Sequence, residues 1–381
     1  MTNGIINKLV LFGAGKIGRS FIGQLFSRSG YEVVFIDINQ QLIDNLNKSG
    51  QYKVIIKSPK GDATILVTHV RGIHLSETEK VIAELAGASI AALSVGQQGL
   101  SAALPIIANA LILRRRLHGD WPLDIIIAEN MRNADEFIST ELARLLPSDY
   151  PVSTLVGLVE TSIGKMVPIM TLKDMEEDPL QVFAESYNSL IVAKNGFKNQ
   201  VPDVTDLAPR ENIKAWVDRK LFIHNMGHAT AAYLGFQKNP EWVYLEEALN
   251  DPQIYDDTRQ TMLQAADLLV ALYPGEFTHF QLEDHIDDLL ERFKNKALGD
   301  TIFRVGCDLY RKLSPEDRLV APIKVAIKLN KPYDRILKAL VAGISFRARD
   351  ENGNHHPSDE LFFVEAEKGV NYILQNICKL I

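Results

Sequence analysis

Cysteine is nearly absent from this 381-residue chain: only Cys307 and Cys378 occur. Their spacing fits neither a disulfide framework nor a metal site, which excludes a stapled secreted scaffold and suits a reducing cytosol. Positive charge is also in deficit, with 41 Lys and Arg against 48 Asp and Glu and a formal net charge of −7. That balance excludes bulk attraction to nucleic acid or to an anionic membrane, and leaves open only a local basic pocket. No apolar run reaches the roughly 18 residues of a membrane span, and no charged segment followed by an apolar one opens the chain. Internal repeats and low-complexity tracts are missing too. A cytoplasmic, globular protein acting on small molecules is expected, too long for one simple core and so built of two domains.

What is present begins with a nucleotide fingerprint. The apolar run Lys8-Leu-Val-Leu-Phe12 passes directly into Gly13-Ala14-Gly15-Lys16-Ile17-Gly18, and an amphipathic helix follows (Phe21, Ile22, Leu25, Phe26). Gly13 allows the tight turn, Gly15 lets the backbone approach a pyrophosphate, and Gly18 lets helix and strand pack closely. A second apolar run, Glu32-Val-Val-Phe-Ile-Asp37, ends in an acid where this fingerprint places its ribose-binding carboxylate. A carboxylate there accepts from a ribose 2′-hydroxyl and repels a 2′-phosphate, so NAD is favoured over NADP. The competing reading of Asp37 is a helix cap at a strand end.

Alternation on both sides of Ser58-Pro-Lys-Gly-Asp62 predicts a hairpin inserted over 52–70. A strand over 88–96 ends in Gly96, either a turn or a place where backbone approaches the cofactor. The helix over about 100–116 ends in Arg114-Arg-Arg116, expected as a solvated, dipole-favoured terminus. The strand Leu123–Ala128 stops before Glu129-Asn130, at a carboxyl end where ligands bind in such sheets. Capping the next helix is the other role open to Asn130. A strand over 153–160 completes the alternation, and Lys165 to Phe197, broken by Pro168 and Pro179, suggests extra strands. Past Pro202 the periodicity turns helical, over about 211–235, 255–273, 280–296, 333–347 and 359–379. The expected fold is α/β: a Rossmann-type, doubly wound, mostly parallel sheet over residues 1–200, then a mainly α-helical substrate domain over 201–381.

The stretch Lys220-Leu-Phe-Ile-His-Asn225-Met-Gly-His228 stands apart. At ~100° per helical residue, Lys220, His228 and Asn225 project at about 0°, 80° and 140°, and His224 at about 40°. An amine, an imidazole and an amide thus share one face of an otherwise apolar segment, with Gly227 leaving the backbone open to a ligand. Burial lowers a lysine's proton affinity towards neutrality, so that it can serve as a base. The bland alternative is a core helix with a snorkelling lysine and a satisfied histidine. Further on, Arg304, Arg311, Lys312 and Arg318 bunch in an acidic protein. Either they bind an anionic substrate or they pair with Asp308, Glu316 and Asp317. Ser314, followed by Pro315 and Asp317, reads as a helix N-cap.

Taken together, Lys220-x4-Asn225-x2-His228 behind a glycine-rich nucleotide site resembles the signature of the polyol-specific long-chain dehydrogenase/reductase family. The wider segment from Val217 to Gly235, Glu129-Asn130-Met131, Arg311-Lys-Leu-Ser314 and Asp317-Arg318-Leu319 share the resemblance, which spans nearly the whole chain. The length is similar to that of the compact sugar-phosphate branch. The resemblance implies a Rossmann domain, a helical substrate domain, a cleft between them, and metal-independent, reversible oxidation of a secondary alcohol by NAD. It implies Lys220 as general acid/base, Asn225 and Asn130 as holders of the developing alkoxide, and His228 as orienter of substrate or lysine. It further implies a monomer converting mannitol 1-phosphate and fructose 6-phosphate. No His, Cys or Asp cluster has zinc-ligand spacing, so a lysine base replaces the Lewis acid of metal-dependent alcohol dehydrogenases.

The chain departs from the family at Gly164-Lys165-Met-Val-Pro168, where an Asp-Arg pair usually precedes Val-Pro; that bears on which sugar is bound. His224 is expected to be a neighbour, not the catalytic imidazole. A uronate reductase or mannitol 2-dehydrogenase of the same family, and a non-catalytic NAD-binding sensor, are the rival functions.

Overall fold

The computed structural model describes residues 7–129, 133–168 and 170–380. It divides into two compact units, Met1–Ile213 and Lys214–Ile381. The division falls past residue 200 because a last short strand, within 201–213, still pairs in the sheet of the first unit.

Eleven strands form among the described residues of the first unit: β1 (Lys8–Phe12), β2 (Glu32–Asp37), β3 (Gln51–Ile56), β4 (Ala63–Thr68), β5 (Val70–His74), β6 (Ile90–Leu93), β7 (Leu123–Ile127), β8 (Val156–Ser162), β9 (Val182–Ala184), β10 (Leu190–Ala193) and β11 (Leu207–Arg210). Eight of them lie in the order β11-β10-β8-β7-β6-β1-β2-β5. All neighbours are parallel except β8 and β10. The central strands are buried on both faces, as helices packed on each side of a parallel sheet require. Period-2 alternation sorts them: Val10, Phe12, Val34, Ile36, Ile125 and Ile127 enter one core, while Leu9, Leu11, Val33, Phe35 and Ile126 enter the other. The strand order reverses between β1 and β6, the switch point at which such sheets bind ligands. The expected hairpin is β3–β4, and β9 joins it to make a separate three-stranded sheet.

Arg114 corrects one expectation. It is not part of a solvated helix end but is 1% exposed. Its guanidinium donates to Ala86 O, Ala88 O, Trp121 O and Pro122 O at 2.8–3.1 Å and lies 4.1 Å from the Trp121 ring centroid. These carbonyls end one helix and enter β6 and β7, and only a forked donor meets all four. Arg114→Met is expected to lower the unfolding free energy by ~3 kcal/mol in urea titrations, since it strips partners from buried carbonyls.

The second unit is helical. Pro252–Leu272 starts on an Asp251 cap with proline at its first turn, and His279–Phe293 starts on a Thr278 and Gln281 capping box. The helix Met226–Lys238 is buried along nearly its whole length and packs against Pro252–Leu272, Ile302–Gly306 and Asp334–Ile344. Ser314 is a second correction. It caps no helix: its carbonyl accepts from Asp317 N–H in a turn, and the next helix begins at Val320. Among the described residues, no helix is long and apolar enough to cross a membrane.

Candidate active site

The glycine loop is built by backbone contacts that exclude side chains. Gly13 has φ +96°, and a Cβ there would lie 2.1 Å from Ser94 O, just past β6. A Cβ on Gly18 would lie 2.0 Å from Gly13 O, so Gly18 is held tightly against the backbone of the loop itself. At Gly15 a Cβ would meet nothing within 4 Å, leaving its backbone open to an approaching group. The following turn, Gly18–Gly23, is a π-turn and not the start of a regular α-helix. Phe12 and Ala14 are buried beneath the loop, Lys16 is exposed and Ile17 is partly buried. Buried Arg19, which the fingerprint does not flag, braces the loop from below by donating to Ala14 O and Leu180 O.

Asp37 is not a helix cap. Asn39 takes that role, accepting from Leu42 N–H, while Asp37 Oδ2 accepts from Ala14 N–H at 2.7 Å and Oδ1 from Asn39 N–H at 2.9 Å. The carboxylate thereby ties the end of β2 to the glycine loop and stays only partly exposed. An open Gly15 backbone beside this fixed carboxylate fits a dinucleotide with a free ribose diol. Gly96 has φ +73° and opens the long helix Gly96–His118, so its glycine serves a turn. Glu129 Oε1 accepts from Val95 N–H and Gly96 N–H, and burial pushes its carboxyl up. Asn130, the expected alkoxide holder, lies outside the described residues.

In the second unit, Lys220–Asn225 is a π-turn running into Met226–Lys238, where an unbroken α-helix was expected. Met226 N–H bonds to Leu221 O, five residues back. An i→i+5 repeat stacks residues five apart, so Lys220 and Asn225 stand nearer one another than α-helical spacing allows. Dehydration by surrounding protein lowers the Lys220 amine to about 8; Arg318 pushes the same way and Asp317 opposes. Gly227 does not open the backbone to a ligand. A Cβ there would lie 2.5 Å from Met262 Sδ, so its job is helix packing.

His228 stacks on Phe293, with centroids 4.5 Å apart and rings 14° from parallel, and its Nε2 lies 3.0 Å from Asp300 Oδ2. Asp300 is in turn ion-paired to Arg304. Burial, then Arg304, Arg318, Lys312 and Arg292, hold His228 neutral well below its ordinary range. His224 is a buried ring edge-on to Phe293 and His228, likewise held neutral, first by burial and next by Arg292.

The four cations divide. Arg311 is half exposed and paired with Asp308 and Asp317, which is the structural alternative. Lys312 is 5% exposed and donates to Val305 O at 2.7 Å, closing the helix Ile302–Gly306; burial lowers its amine to about 8. Arg318 is 9% exposed and holds Asp317 through Nε at 2.8 Å. Its charge is felt at Lys220, His228, Tyr233 and Lys312. Its two Nη groups have no hydrogen-bond partner among the described residues. At the family departure, Lys165 is buried in the first unit, donating to Glu185 O, Tyr187 O and Asn188 Oδ1 at 2.7–3.1 Å. Those acceptors match the three donors of an ammonium. Among the described residues no three His, Cys, Asp or Glu side chains gather as a metal-binding set.

A family model described as the mannitol dehydrogenase Rossmann domain matches residues 7–206, and one described as the mannitol dehydrogenase C-terminal domain matches 212–376. The chain is 31% identical over 380 residues to mannitol-1-phosphate 5-dehydrogenase of Buchnera aphidicola subsp. Acyrthosiphon pisum (strain APS), covering 98% of this chain and 94% of that one. In fold it is similar to a D-sorbitol dehydrogenase in substrate-free form (TM-score 0.78, 16% identity, 96% of this chain and 85% of that). It is similar also to Pseudomonas fluorescens mannitol 2-dehydrogenase in a ternary complex with NAD and D-mannitol (TM-score 0.76, 16% identity, 98% and 86%). With the two family models together matching nearly the whole chain, it belongs to the mannitol dehydrogenase family and is an oxidoreductase.

Proposed function

We propose that this chain catalyses the reversible, NAD-dependent oxidation of a polyol phosphate to a ketose phosphate, most simply mannitol 1-phosphate to fructose 6-phosphate. The observation that carries the reading is Lys220, an amine lowered to about 8 so that free base and ammonium are both within reach near neutral pH, on the same π-turn as Asn225 and one helical step from a neutral, carboxylate-held His228. Bound NAD supplies the hydride acceptor. Lys220 takes the hydroxyl proton as the alcohol is oxidised and returns it in the reverse direction. Asn225 donates its amide N–H to the developing alkoxide without titrating, and Asn130 is assigned the same task. His228 orients the substrate or the lysine. Arg318 is the residue best suited to a phosphate, since a guanidinium fork meets phosphate oxygens in pairs. The name of the 31%-identical relative points to the same substrate. We take the working unit to be the monomer.

Initial rates with mannitol, sorbitol, their phosphates, fructose 6-phosphate and uronates decide the substrate. A preference for a neutral polyol or a uronate over the sugar phosphates would overturn it. NADH binding without turnover on any of them would revive the sensor. The cofactor assignment has its own test: Asp37→Ser is expected to raise KM for NAD roughly tenfold and to narrow the NAD over NADP preference by a similar factor. An unchanged ratio would remove Asp37 from the ribose site.

A further inference from the structure

Asp300 lies 72 residues from His228 in sequence, and no motif marks it, yet it is the only hydrogen-bond partner of the His228 ring among the described residues. Its side chain is 4% exposed. The backbone around it is pinned from two sides. Leu245 N–H donates to Asp300 O at 2.9 Å, Ile302 N–H donates to Val243 O at 2.8 Å, and Thr301 caps the helix Ile302–Gly306. The carboxylate is further fixed by Arg304, one helical turn on. On the other side, the His228 ring has its plane set by the Phe293 stack. Both partners of the contact are therefore held by their own neighbours, which is what a positioning contact needs.

We infer that Asp300 is a positioning residue that fixes the tautomer of His228, keeping the proton on Nε2 and Nδ1 bare as a hydrogen-bond acceptor. The inference rests on the proposed role of His228 and goes past it. A carboxylate beside a guanidinium is an acceptor only, so the 3.0 Å contact requires an N–H on Nε2. A neutral imidazole has one such proton, and Nδ1 is left with its lone pair. That lone pair can accept from a substrate hydroxyl or from the Lys220 ammonium; an N–H in its place would face a donor with a donor. Arg304, a candidate substrate residue by sequence, is here the ion-pair partner of Asp300. Tautomer control of a histidine by a buried aspartate is general chemistry, and nothing in it depends on the hydride step.

The test uses the full-length protein with 15N-histidine, and His228→Asn identifies the signal. Wild type is expected to show His228 as the Nε2–H tautomer, and Asp300→Asn to shift it to Nδ1–H or to a mixture. Asp300→Asn is also expected to lower kcat/KM for the polyol phosphate roughly 10- to 100-fold, the usual size of such outer-shell effects, with NADH affinity unchanged. In a His228→Asn background it should cost nothing further. A wild-type Nδ1–H tautomer, an unmoved tautomer in Asp300→Asn, or additive losses would overturn the inference. Should Asp300→Asn fail to fold, the wild-type tautomer decides it alone. If His228→Asn turns over normally, the reading of His228 falls instead, and the tautomer measurement still stands as a separate result.

Discussion

Lys220→Met is expected to lower turnover in both directions by roughly 10²- to 10⁴-fold, the range general acid–base catalysis supplies, while NADH affinity by fluorescence titration stays unchanged. The pH profile of the wild type should report the same group. With its amine at about 8, the free base that accepts the hydroxyl proton is populated above that pH, so oxidation rises through about 8. The ammonium that donates in reverse is populated below it, so ketose reduction falls as pH rises through the same value. Lys220→Arg separates charge from proton transfer: a guanidinium keeps the cation but does not release its proton in this range, and it should be as inactive as Met. Stability should move the other way. The fold lowers the amine from 10.5 to about 8, so it disfavours the charged form in full below about 8 and progressively less up to 10.5. Removing the amine should then raise the melting temperature at neutral pH. Near-normal turnover in Lys220→Met would sink the proposed mechanism.

Much of this was legible because local signals agreed with the global fold. Three glycines, a strand before them and an acid after them have one economical arrangement, and Gly13 and Gly18 occupy positions where any Cβ would strike backbone. What was not legible depends on partners far away in sequence. Arg114 looked like surface charge because its four carbonyl acceptors lie on other segments. Asp300 carries no signal at all until the helices bring it to His228. The π-turn at Lys220 escaped for a different reason: its residues have ordinary helical preferences, and nothing in their pattern marks the extra residue in the turn. The effect is to tighten the very grouping that α-helical spacing suggested. Ser314 shows the converse failure, a cap sequence with proper residues whose chain turns again before any helix starts. The cations needed the structure most. Four similar side chains separate into an exposed pair-former, a buried carbonyl cap, a carboxylate partner and one fork whose ends have no partner among the described residues.

That last residue carries the second large effect. Arg318→Met is expected to raise KM for mannitol 1-phosphate roughly 10²-fold, about 2.7 kcal/mol, the scale of a lost charge-assisted pair of hydrogen bonds. Neutral mannitol, which has nothing for the fork to grip, should show little change in KM. A second readout is independent of the phosphate. Arg318 is one of the causes that hold the proton off Lys220, and Asp317 is its opponent. Removing the guanidinium leaves the amine closer to its ordinary range, so the pH midpoint of oxidation should move upward for phosphorylated and neutral substrates alike. Arg318→Lys keeps the charge without the fork and should retain the midpoint while losing part of the phosphate preference. Arg311→Ala supplies the contrast, because its guanidinium is half exposed and spent on Asp308 and Asp317, and exposed pairs contribute little. Equal rises in KM for phosphorylated and neutral polyols in Arg318→Met would take the phosphate away from Arg318. A shifted midpoint with unchanged KM for both would leave Arg318 a role only in setting the lysine's proton affinity, and the anion site would have to be sought on other residues.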